Sequence, residues 1–337
     1  MKVTLKNSIK NDRYTEYVYD KFDIQNREET EVNVNFSLGE AKDFDWNIGV
    51  IYGSSGSGKT TILKQMGKLS KSTFDTSKSL ISNFDWLEPE DASRLLSSMG
   101  LSSVPTWLRP FHLLSNGEQF RAELAYKIGK AKDNEVVLID EFTSVVDRDV
   151  AKSMSFAIQK YIRKNNKRMI VASCHYDIME WLTPDWVCSP QKNGGALERS
   201  PLLRGSRPKI ELQVSRVESS TWDLFKEHHY LTEKANKSCK FLLFTWNNKP
   251  VGIVAVINSP GLNRANAVTI SRIVVLPDFQ GLGLGAIISN FCGGIFVENN
   301  NRLYIRTIHP ALGVYFDNSK DWKGTSTNHK TAGGAGR

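Results

Sequence analysis

Cysteine is scarce in this chain of 337 residues, and the sequence contains no long apolar run. The four cysteines, Cys174, Cys188, Cys239 and Cys292, show no CxxC spacing, so the sequence predicts neither a zinc site nor a disulfide framework. No apolar run approaches the roughly 18 residues of a membrane-spanning helix, and the first residues lack the apolar core of a signal peptide. We therefore expect a cytoplasmic protein with reduced thiols and no membrane partner.

Negative charge is in short supply in the second part of the chain. The whole sequence has a net charge of +8, and residues 206–337 alone carry +7, with 16 Lys and Arg against 9 Asp and Glu. A basic region of this kind favours polyanionic partners such as nucleic acid. Two simpler interpretations stay open: the charge attracts a phosphorylated ligand of that region, or it forms a solvated face.

Hydrophobic periodicity divides the chain into two folded regions. The first, residues 1–190, alternates apolar strands with helices, which is typical of a largely parallel sheet covered by helices. Its predicted elements are half-buried strands within 13–36, a strand at Ile48–Tyr52, a helix from Thr60 to Leu69, a mostly helical insertion at 87–113, a strand at Val136–Ile139, a helix around 149–163 and a strand at Met169–Ser173.

Residues 191–209 are rich in glycine, proline and charge, which predicts a linker. Residues 210–324 form the second predicted region, and residues 325–337 predict a disordered tail. The elements predicted for the second region are a hairpin of Phe241–Trp246 and Val251–Ile257 around Asn247-Asn248-Lys249-Pro250, a strand at Val268–Leu276, a helix at Gly285–Val297 and a strand at Leu303–Thr307.

The first region carries a phosphate-binding glycine loop, Gly53-Ser54-Ser55-Gly56-Ser57-Gly58-Lys59-Thr60, between a predicted strand and a predicted helix. Its GxxxxGK(S/T) pattern lets successive backbone N–H groups turn toward the phosphates of ATP. Lys59 would reach the β- and γ-phosphates, and the Thr60 hydroxyl would bind Mg²⁺. The predicted ATP-binding residues are Gly53, Ser54, Gly56, Ser57, Gly58, Lys59, Thr60 and Thr61.

A second element of the same chemistry is the apolar strand Val136–Ile139, which ends in Asp140 and Glu141. Asp140 would hold Mg²⁺ through water, and Glu141 would orient or deprotonate the attacking water. Many core strands end in an acid, so this strand indicates an ATPase only in combination with the glycine loop.

Three further segments resemble the ABC-type ATPase family over residues 13–190. Leu114-Ser115-Asn116-Gly117-Glu118-Gln119 resembles the family's signature motif, with Asn116 in the place of a glycine. Ser144-Val145-Val146-Asp147 resembles its D-loop, and His175 matches its switch histidine. The resemblance implies that nucleotide meets Ser115, Gly117 and Asp147, and that His175 contacts the γ-phosphate.

The same resemblance implies an ATP-dependent head-to-tail homodimer, because the family's signature completes the site of a partner subunit. Two features depart from the family. The usual glutamine before the signature is missing, with Asn83, Asp85 and Glu88 as open alternatives, and the insertion between Lys59 and Ser115 is short. A short insertion argues against transporter subunits as partners and, by analogy alone, favours ATPases that act on nucleic acid.

The second region carries another glycine loop within Val274–Gly285, which resembles the core motif of GNAT-type N-acyltransferases. The amides of its turn and the dipole of the following helix would bind the pyrophosphate of acetyl-CoA or another acyl-CoA. A dinucleotide site matches less well, since no ribose-binding acid follows at the right spacing. The predicted binding residues are Val274, Val275, Gln280, Gly281, Leu282, Gly283, Leu284 and Gly285.

The GNAT resemblance also suggests catalytic groups. Tyr315 stands where a tyrosine protonates the departing thiolate, with a packing role as the alternative. We predict that the general base is His229 or His309. Further candidates for the base or for contacts with substrate are His228, Glu227, Ser271 and Arg272.

Together these features predict an α/β two-domain chain, with an ABC-type P-loop domain followed by a GNAT α+β domain around a mixed sheet. The pairing resembles ABC–GNAT fusions of phages and prophages, whose transferase half is akin to Mom-type DNA-modifying acyltransferases. The residues that carry this resemblance are Trp107–Phe111, His228-His229-Tyr230 and His309-Pro310. The leading hypothesis is an ATP-dependent N-acyltransferase that modifies an amino group of a DNA base. The alternatives are an acyltransferase for proteins or small amines that the ATPase regulates, and a non-catalytic CoA-sensing clamp.

Overall fold

The computed structural model describes residues 2–25, 29–35, 37, 44–133, 135–200, 210–229, 235–236, 238–258, 266–325 and 328. The chain divides into two compact units, one of residues 1–71, 131–144 and 162–206 and another of residues 72–130, 145–161 and 207–337. The helices are α1 (Arg13–Phe22), α2 (Lys59–Met66), α3 (Pro89–Ser98), α4 (Val104–Leu108), α5 (Asn116–Lys130), α6 (Arg148–Lys164), α7 (Ile178–Leu182), α8 (Leu284–Glu298) and α9 (Pro310–Asn318). The strands are β1 (Lys2–Ser8), β2 (Glu29–Asn35), β3 (Ile48–Tyr52), β4 (Val136–Ile139), β5 (Arg168–Ser173), β6 (Trp186–Cys188), β7 (Leu197–Arg199), β8 (Gln213–Val217), β9 (Lys240–Trp246), β10 (Lys249–Asn258), β11 (Ala267–Val275) and β12 (Arg302–Ile305).

The first unit is built around a five-stranded sheet in the order β4-β5-β3-β6-β7. Strands β4, β5, β3 and β6 are parallel, and β7 pairs antiparallel with β6 at the edge. Ile48, Val50 and Ile51 are fully buried, as expected for a strand covered on both faces. The predicted strands at β3, β4 and β5 are confirmed, and their carboxyl ends meet at one edge of the sheet.

Two contacts fix the centre of this sheet. A Cβ on Gly49 would lie 2.1 Å from the Trp186 ring, so only glycine lets β3 and this ring approach. The Asp185 carboxylate accepts a hydrogen bond from Ile48 N at 2.9 Å and pairs with Arg163 at 3.0 Å. Both contacts hold β3, and with it the first glycine loop, in register.

The prediction of strands throughout 13–36 is wrong for its first part, because residues 13–22 form α1. Asp12 caps this helix by accepting hydrogen bonds from the N–H groups of Tyr14 (2.9 Å) and Thr15 (3.1 Å). The Thr15 hydroxyl closes the capping box on Asp12 N at 2.9 Å. This local cap outweighs the alternation of polar and apolar residues. Strand β2 follows and pairs antiparallel with β1, while Phe36 lies outside the described residues.

The second unit contains the other five-stranded sheet, in the order β12-β11-β10-β9-β8. It is mixed, since β11 and β12 are parallel and the other pairs are antiparallel. The predicted hairpin of β9 and β10 is confirmed, with Asn247 and Asn248 in the left-handed region (φ 48° and 62°) that a tight hairpin turn requires. A bulge in the β10–β11 pair leaves Ser271 without a partner across the ladder.

Helices α3, α4 and α5 and most of α6 belong to this second unit. The predicted helical insertion at 87–113 is confirmed by α3 and α4. The predicted linker at 191–209 contains β7, so the first sheet continues into it, while residues 201–209 lie outside the described residues. Most of the predicted tail at 325–337 also lies outside the described residues.

Among the described helices, none combines the length and the apolar character that crossing a membrane requires. Within the same residues, no group of three or more His, Cys, Asp and Glu side chains is arranged to hold a metal ion. All four cysteines are free thiols, and Cys174 alone among them is exposed.

Candidate active sites

The first glycine loop leads from β3 into α2, as predicted. Gly56 and Gly58 have φ of 77° and 91°, in the left-handed region that glycine adopts without strain. Lys59 Nζ donates to the carbonyl oxygens of Gly53 at 2.9 Å and Ser54 at 2.6 Å, so its ammonium lies over the loop. Backbone N–H groups and one ammonium are thus gathered around a single turn, which suits a phosphate group.

Two predicted Mg²⁺ ligands meet beside this loop. Thr60 Oγ1 donates to Asp140 Oδ1 at 3.2 Å, which brings together two hard oxygen donors. Ser57 Oγ is buried and has no hydrogen-bond partner among the described residues. An unsatisfied hydroxyl within the glycine loop, together with a pair of oxygen donors where the loop ends, fits a site that takes a phosphate with its metal ion.

Glu141 and His175 lie on the same sheet edge. Ser173 Oγ donates to Phe142 O at 2.9 Å and accepts from His175 N at 3.1 Å, which ties the end of β4 to the end of β5. Glu141 has a φ of 49°, and Ser144 Oγ donates to its carbonyl oxygen at 2.8 Å. A non-glycine residue held in the left-handed region is a form of backbone strain that clusters at functional sites.

Sequence reasoning missed one residue at this loop, Gln191. Its Nε2 donates to Ser54 Oγ at 3.0 Å. Gln191 follows β6 and lies far from the loop in sequence, so no local pattern identifies it. It reaches the loop because β6 neighbours β3 in the parallel sheet.

The predicted signature segment lies in the second unit, where Ser115 and Gly117 stand at the start of α5. The buried Glu118 carboxylate accepts from Ser115 N (2.9 Å), Ser115 Oγ (3.0 Å) and Thr106 Oγ1 (3.0 Å). This capping arrangement fixes Ser115 at a helix N-terminus, where the first-turn N–H groups have no intrahelical acceptor.

Asp147, predicted as the D-loop aspartate, has a clear local role. Asp147 Oδ1 accepts from Asp149 N at 2.9 Å and Val150 N at 3.0 Å, which caps α6. Of the alternatives for the missing glutamine, Asn83 is buried and engaged, since it donates to Ser79 O at 2.9 Å and accepts from Asp75 N at 2.7 Å. These bonds give Asn83 a structural role in its own turn.

The second glycine loop leads from β11 into α8, as predicted. Gly281 and Gly283 have φ of 87° and 75°, so both need the freedom of glycine. Gln280 Nε2 donates to Val275 O at 2.9 Å, which ties the loop to the strand before it. The N–H groups that open α8, with the positive end of its dipole, fit an anionic group such as a pyrophosphate.

Tyr315, on α9, is held by a residue that sequence reasoning missed. Asn290 Nδ2 donates to the Tyr315 hydroxyl at 2.6 Å, and Trp322 Nε1 donates to Asn290 Oδ1 at 2.7 Å. An indole N–H only donates, so Oδ1 must face Trp322 and the NH₂ group must face Tyr315. The tyrosine oxygen therefore accepts, and its own proton is available to another acceptor.

The two predicted bases differ in their surroundings. Burial, with the Arg272 charge as the smaller cause, lowers the pKa of His229 to about 4, so this imidazole is neutral at neutral pH. His309 Nε2 lies 3.2 Å from Ser102 O and must carry the proton, because a carbonyl only accepts. Its Nδ1 is then a buried lone pair without a hydrogen-bond partner among the described residues. Burial also lowers the pKa of His309.

The remaining candidates lie in the same unit. Burial lowers the pKa of the His228 imidazole, while the charges of Glu118 and Glu227 raise it. Ser271 is the bulged residue of β11, and Arg272 beside it contributes to the low pKa of His229. Bulges are frequent next to active sites. Tyr230, the third polar aromatic of that segment, lies outside the described residues.

Comparison with known proteins assigns the second region. Residues 209–308 match the acetyltransferase (GNAT) family model. The C-terminal part of the chain contains a GNAT domain. No curated protein sequence matches the chain.

Several solved structures are similar in part. An ATP-binding cassette solved as a dimer in a post-hydrolysis state with ADP and Pi is 15% identical, with a TM-score of 0.37, and the match covers 54% of this chain and 95% of that one. The cbiO1 protein from Clostridium perfringens, part of the ABC transporter complex cbiONQ, is 15% identical at a TM-score of 0.35, covering 50% and 78%. The ribosomal-protein-S18-alanine N-acetyltransferase from Escherichia coli is 16% identical at a TM-score of 0.26, covering 31% and 74%.

The chain therefore has a two-domain α/β architecture, with a largely parallel sheet in the first unit and a GNAT domain with a mixed sheet in the second, which confirms the α/β and GNAT parts of the predicted fold class. Of the residues that sequence reasoning missed, Glu118 had a signal, since Ser115 and Glu118 have the spacing of a capping box. Asn290, Trp322 and Gln191 had none, because their contacts come from distant parts of the chain.

Proposed function

We propose that the chain is an ATP-dependent N-acyltransferase that uses acetyl-CoA or another acyl-CoA to modify an amino group of a DNA base. The observation that carries the proposal is the Trp322–Asn290–Tyr315 series within the GNAT part of the chain, which holds a tyrosine hydroxyl with its proton available. A general acid for a departing thiolate needs this arrangement.

Acyl transfer then uses groups of this chain in definite roles. Acetyl-CoA, when bound at the Gln280–Gly285 loop, supplies a thioester with an electrophilic acyl carbon. His309 Nδ1 accepts the proton of the attacking amine, with His229 as the alternative base, and Tyr315 gives its proton to the thiolate sulfur. The N–C bond forms as the C–S bond breaks, and the protonated histidine and the tyrosinate return to their starting states by proton exchange with water.

The ATPase part would hold ATP with Mg²⁺, whose charge stabilises the transferring phosphoryl group. Thr60 and Asp140 would hold the metal ion, and Lys59 would contact the phosphates. Glu141 would orient the attacking water and His175 would contact the γ-phosphate. Ser115, Gly117 and Asp147 would complete the nucleotide site of a partner copy, so that ATP closes a homodimeric clamp.

The nucleic-acid substrate is supported by charge. Residues 206–337 contribute +7 of the net charge of +8, and a basic surface attracts phosphate backbones. A base amine inside a duplex would have to be flipped out to reach the GNAT site. The alternatives remain transfer to a protein or small amine under ATPase control, and a CoA-sensing clamp without transfer.

The decisive experiment is mass spectrometry of nucleosides from DNA and RNA incubated with the protein, ATP and acetyl-CoA. Lys59→Ala and Tyr315→Phe serve as variants that remove one site each. A new acylated nucleoside that both variants lose supports the proposal. Unchanged nucleosides, together with intact acetyl-CoA hydrolysis or self-acylation, would contradict the nucleic-acid substrate and favour another acceptor.

Two substitutions of Asn290 test the role of Tyr315. Asn290→Asp keeps an acceptor for Trp322 but turns a carboxylate toward the tyrosine, whose proton would then be donated to it. We expect acyl transfer to fall about 100- to 10,000-fold, the range of a lost general acid. Asn290→Ala removes the hydrogen bond to Tyr315 together with the one from Trp322, but it leaves the tyrosine proton available and should cost only about tenfold. Equal rates for the two variants, at unchanged acetyl-CoA affinity, would make Tyr315 a packing residue.

A further inference from the structure

The acyl-CoA loop packs directly against the helical segments of the ATPase-like region, within the second unit. A Cβ built on Gly281 would lie 2.6 Å from Ala157 Cβ, on α6, and 3.3 Å from Gly100 Cα. Gln280 Oε1 accepts a hydrogen bond from Ser102 N at 2.6 Å. Only glycine at 281 permits this approach, so the loop and these helices are fitted to each other.

Arg121 lies at the centre of this contact and is 1% exposed. Its Nε donates to Gly117 O of the signature segment at 3.0 Å, and its Nη1 donates to Gly100 O at 2.9 Å. The same Nη1 donates to Pro277 O, immediately before the acyl-CoA loop. Its Nη2 lies 3.9 Å from an Asp278 carboxylate oxygen. One guanidinium therefore bonds the signature turn and the turn that leads into the acyl-CoA loop at once.

The helix that follows the D-loop makes a second set of contacts with the same domain. Lys249, on β10, forms an ion pair with Asp149 at the start of α6. Lys152 Nζ lies 5.0 Å from the ring centroid of Trp246, and Phe156 is part of the hydrophobic core of the GNAT domain. The acyltransferase is thus joined to α5 and α6, the two helices that begin beside the predicted nucleotide contacts Gly117 and Asp147.

A buried guanidinium is stable only while its N–H groups and its charge are matched. Here Nε and Nη1 are matched by carbonyl oxygens from two segments, Gly117 in the signature and Pro277 before the acyl-CoA loop. Nη2 has no hydrogen-bond partner among the described residues and only the Asp278 carboxylate 3.9 Å away. A shift of either segment relative to the other would lengthen or break one of these bonds. The two segments are therefore expected to adopt their positions together.

We propose that Arg121 is a positioning residue that couples nucleotide binding at the signature segment to acyl-CoA binding at the Gln280–Gly285 loop. The inference rests on the proposed function, since it takes the two ligands from there. Coupling between binding sites is reciprocal, so ATP must change the affinity for acetyl-CoA by the same factor by which acetyl-CoA changes the affinity for ATP.

The test is calorimetric titration of acetyl-CoA into the full chain carrying Glu141→Gln, which blocks ATP turnover, with and without ATP and Mg²⁺. We expect the two dissociation constants to differ at least about fivefold. Adding Arg121→Lys keeps the positive charge but removes the forked donors. The ratio should then fall to near one while acetyl-CoA still binds. The reverse titration of ATP must give the same ratio in the parent.

Two more variants control this test. Asp278→Asn changes an exposed partner of the guanidinium and should lower the ratio about twofold without affecting the fold. If Arg121→Lys does not fold, the ratio measured in Asp278→Asn tests the proposed coupling instead. Arg163→Lys changes a mostly buried arginine of the first unit, paired with Asp185, and should leave the ratio unchanged.

The outcomes separate the inference from the proposed function. A parent that binds both ligands with a ratio of one overturns the inference and leaves the proposed function standing. A ratio of dissociation constants that stays unchanged in both Arg121→Lys and Asp278→Asn also overturns the inference and leaves the proposed function standing. A parent that binds ATP but no acetyl-CoA overturns the proposed function, and the inference with it.

Discussion

Replacing Gly281 by alanine tests whether the acyl-CoA loop packs on α6 as the structure shows. The new Cβ would lie 2.6 Å from Ala157 Cβ, whereas carbon atoms pack best at about 3.5–4.0 Å. The two chain segments must separate by about an ångström, and such overpacking costs about 1–3 kcal/mol. The φ of 87° adds a further cost of about 1–2 kcal/mol for a residue with a Cβ.

A second substitution separates these two costs. Ala157→Gly removes the clashing methyl group and by itself costs about 1 kcal/mol, because glycine weakens a helix interior. Gly281→Ala combined with Ala157→Gly keeps the backbone strain at residue 281 but is relieved of the overpacking. We therefore expect the double variant to be more stable than the sum of the single effects by about 1–3 kcal/mol.

Native-state hydrogen exchange of β11 and α8 in the full chain measures these local free energies. Gly294→Ala is the matched control, since it also lies on α8 and its Cβ would meet nothing within 4 Å. This control should leave exchange unchanged or slow it slightly, because alanine favours the helix. Single effects that simply add in the double variant would refute the packing of Gly281 on Ala157.

Two further predictions concern titratable side chains. Cys174 is the exposed thiol, so it should react with a thiol reagent well before the three buried cysteines. Peptide mass spectrometry after timed labelling measures the four labelling rates, and equal rates would contradict the burial. Burial lowers the pKa of His229 to about 4, so the folded chain holds this imidazole in its neutral form. The free energy of unfolding is therefore highest above the ordinary histidine pKa of 6.5 and falls as the pH drops toward 4, by about 3 kcal/mol at most. NMR titration of the imidazole would show this, and His229→Gln should remove the effect.

The sequence predicted the two glycine loops well because backbone geometry there demands particular residues. Gly56, Gly58, Gly281 and Gly283 all adopt left-handed φ values, and each is followed within a few residues by the start of a helix. A pattern of glycines between a strand and a helix is therefore readable without tertiary contacts.

Elements without such a local demand were harder to predict. The cap on α1 uses Asp12 with Thr15, which resembles neither the serine nor the glutamate of the usual capping box. Strand β7 is three residues long and two of the three are charged, so it has no measurable period. Helix α1 depends on side-chain capping bonds and β7 on pairing with β6, and neither composition nor periodicity indicates such contacts.

Long-range polar contacts could not be predicted at all. Asn290 reaches Tyr315 from another helix, and Arg121 reaches Pro277 from another region of the chain. In the sequence, Asn290 resembles a surface residue and Arg121 an ordinary helix arginine. Only the folded chain shows that each one bonds a functional segment.

The buried Arg121 argues that the two proposed sites do not work independently of each other. Packing alone would be satisfied by an apolar side chain, since replacing a buried charge by a well-packed apolar group is often neutral or stabilising. Burial lowers the pKa of this guanidinium, against the opposing charges of Asp278 and Glu118, so the charge is kept at a cost. What the guanidinium adds is direction, because its donors bond Gly117 and Pro277 simultaneously. A cost of that kind is expected where the relative position of two segments matters to function.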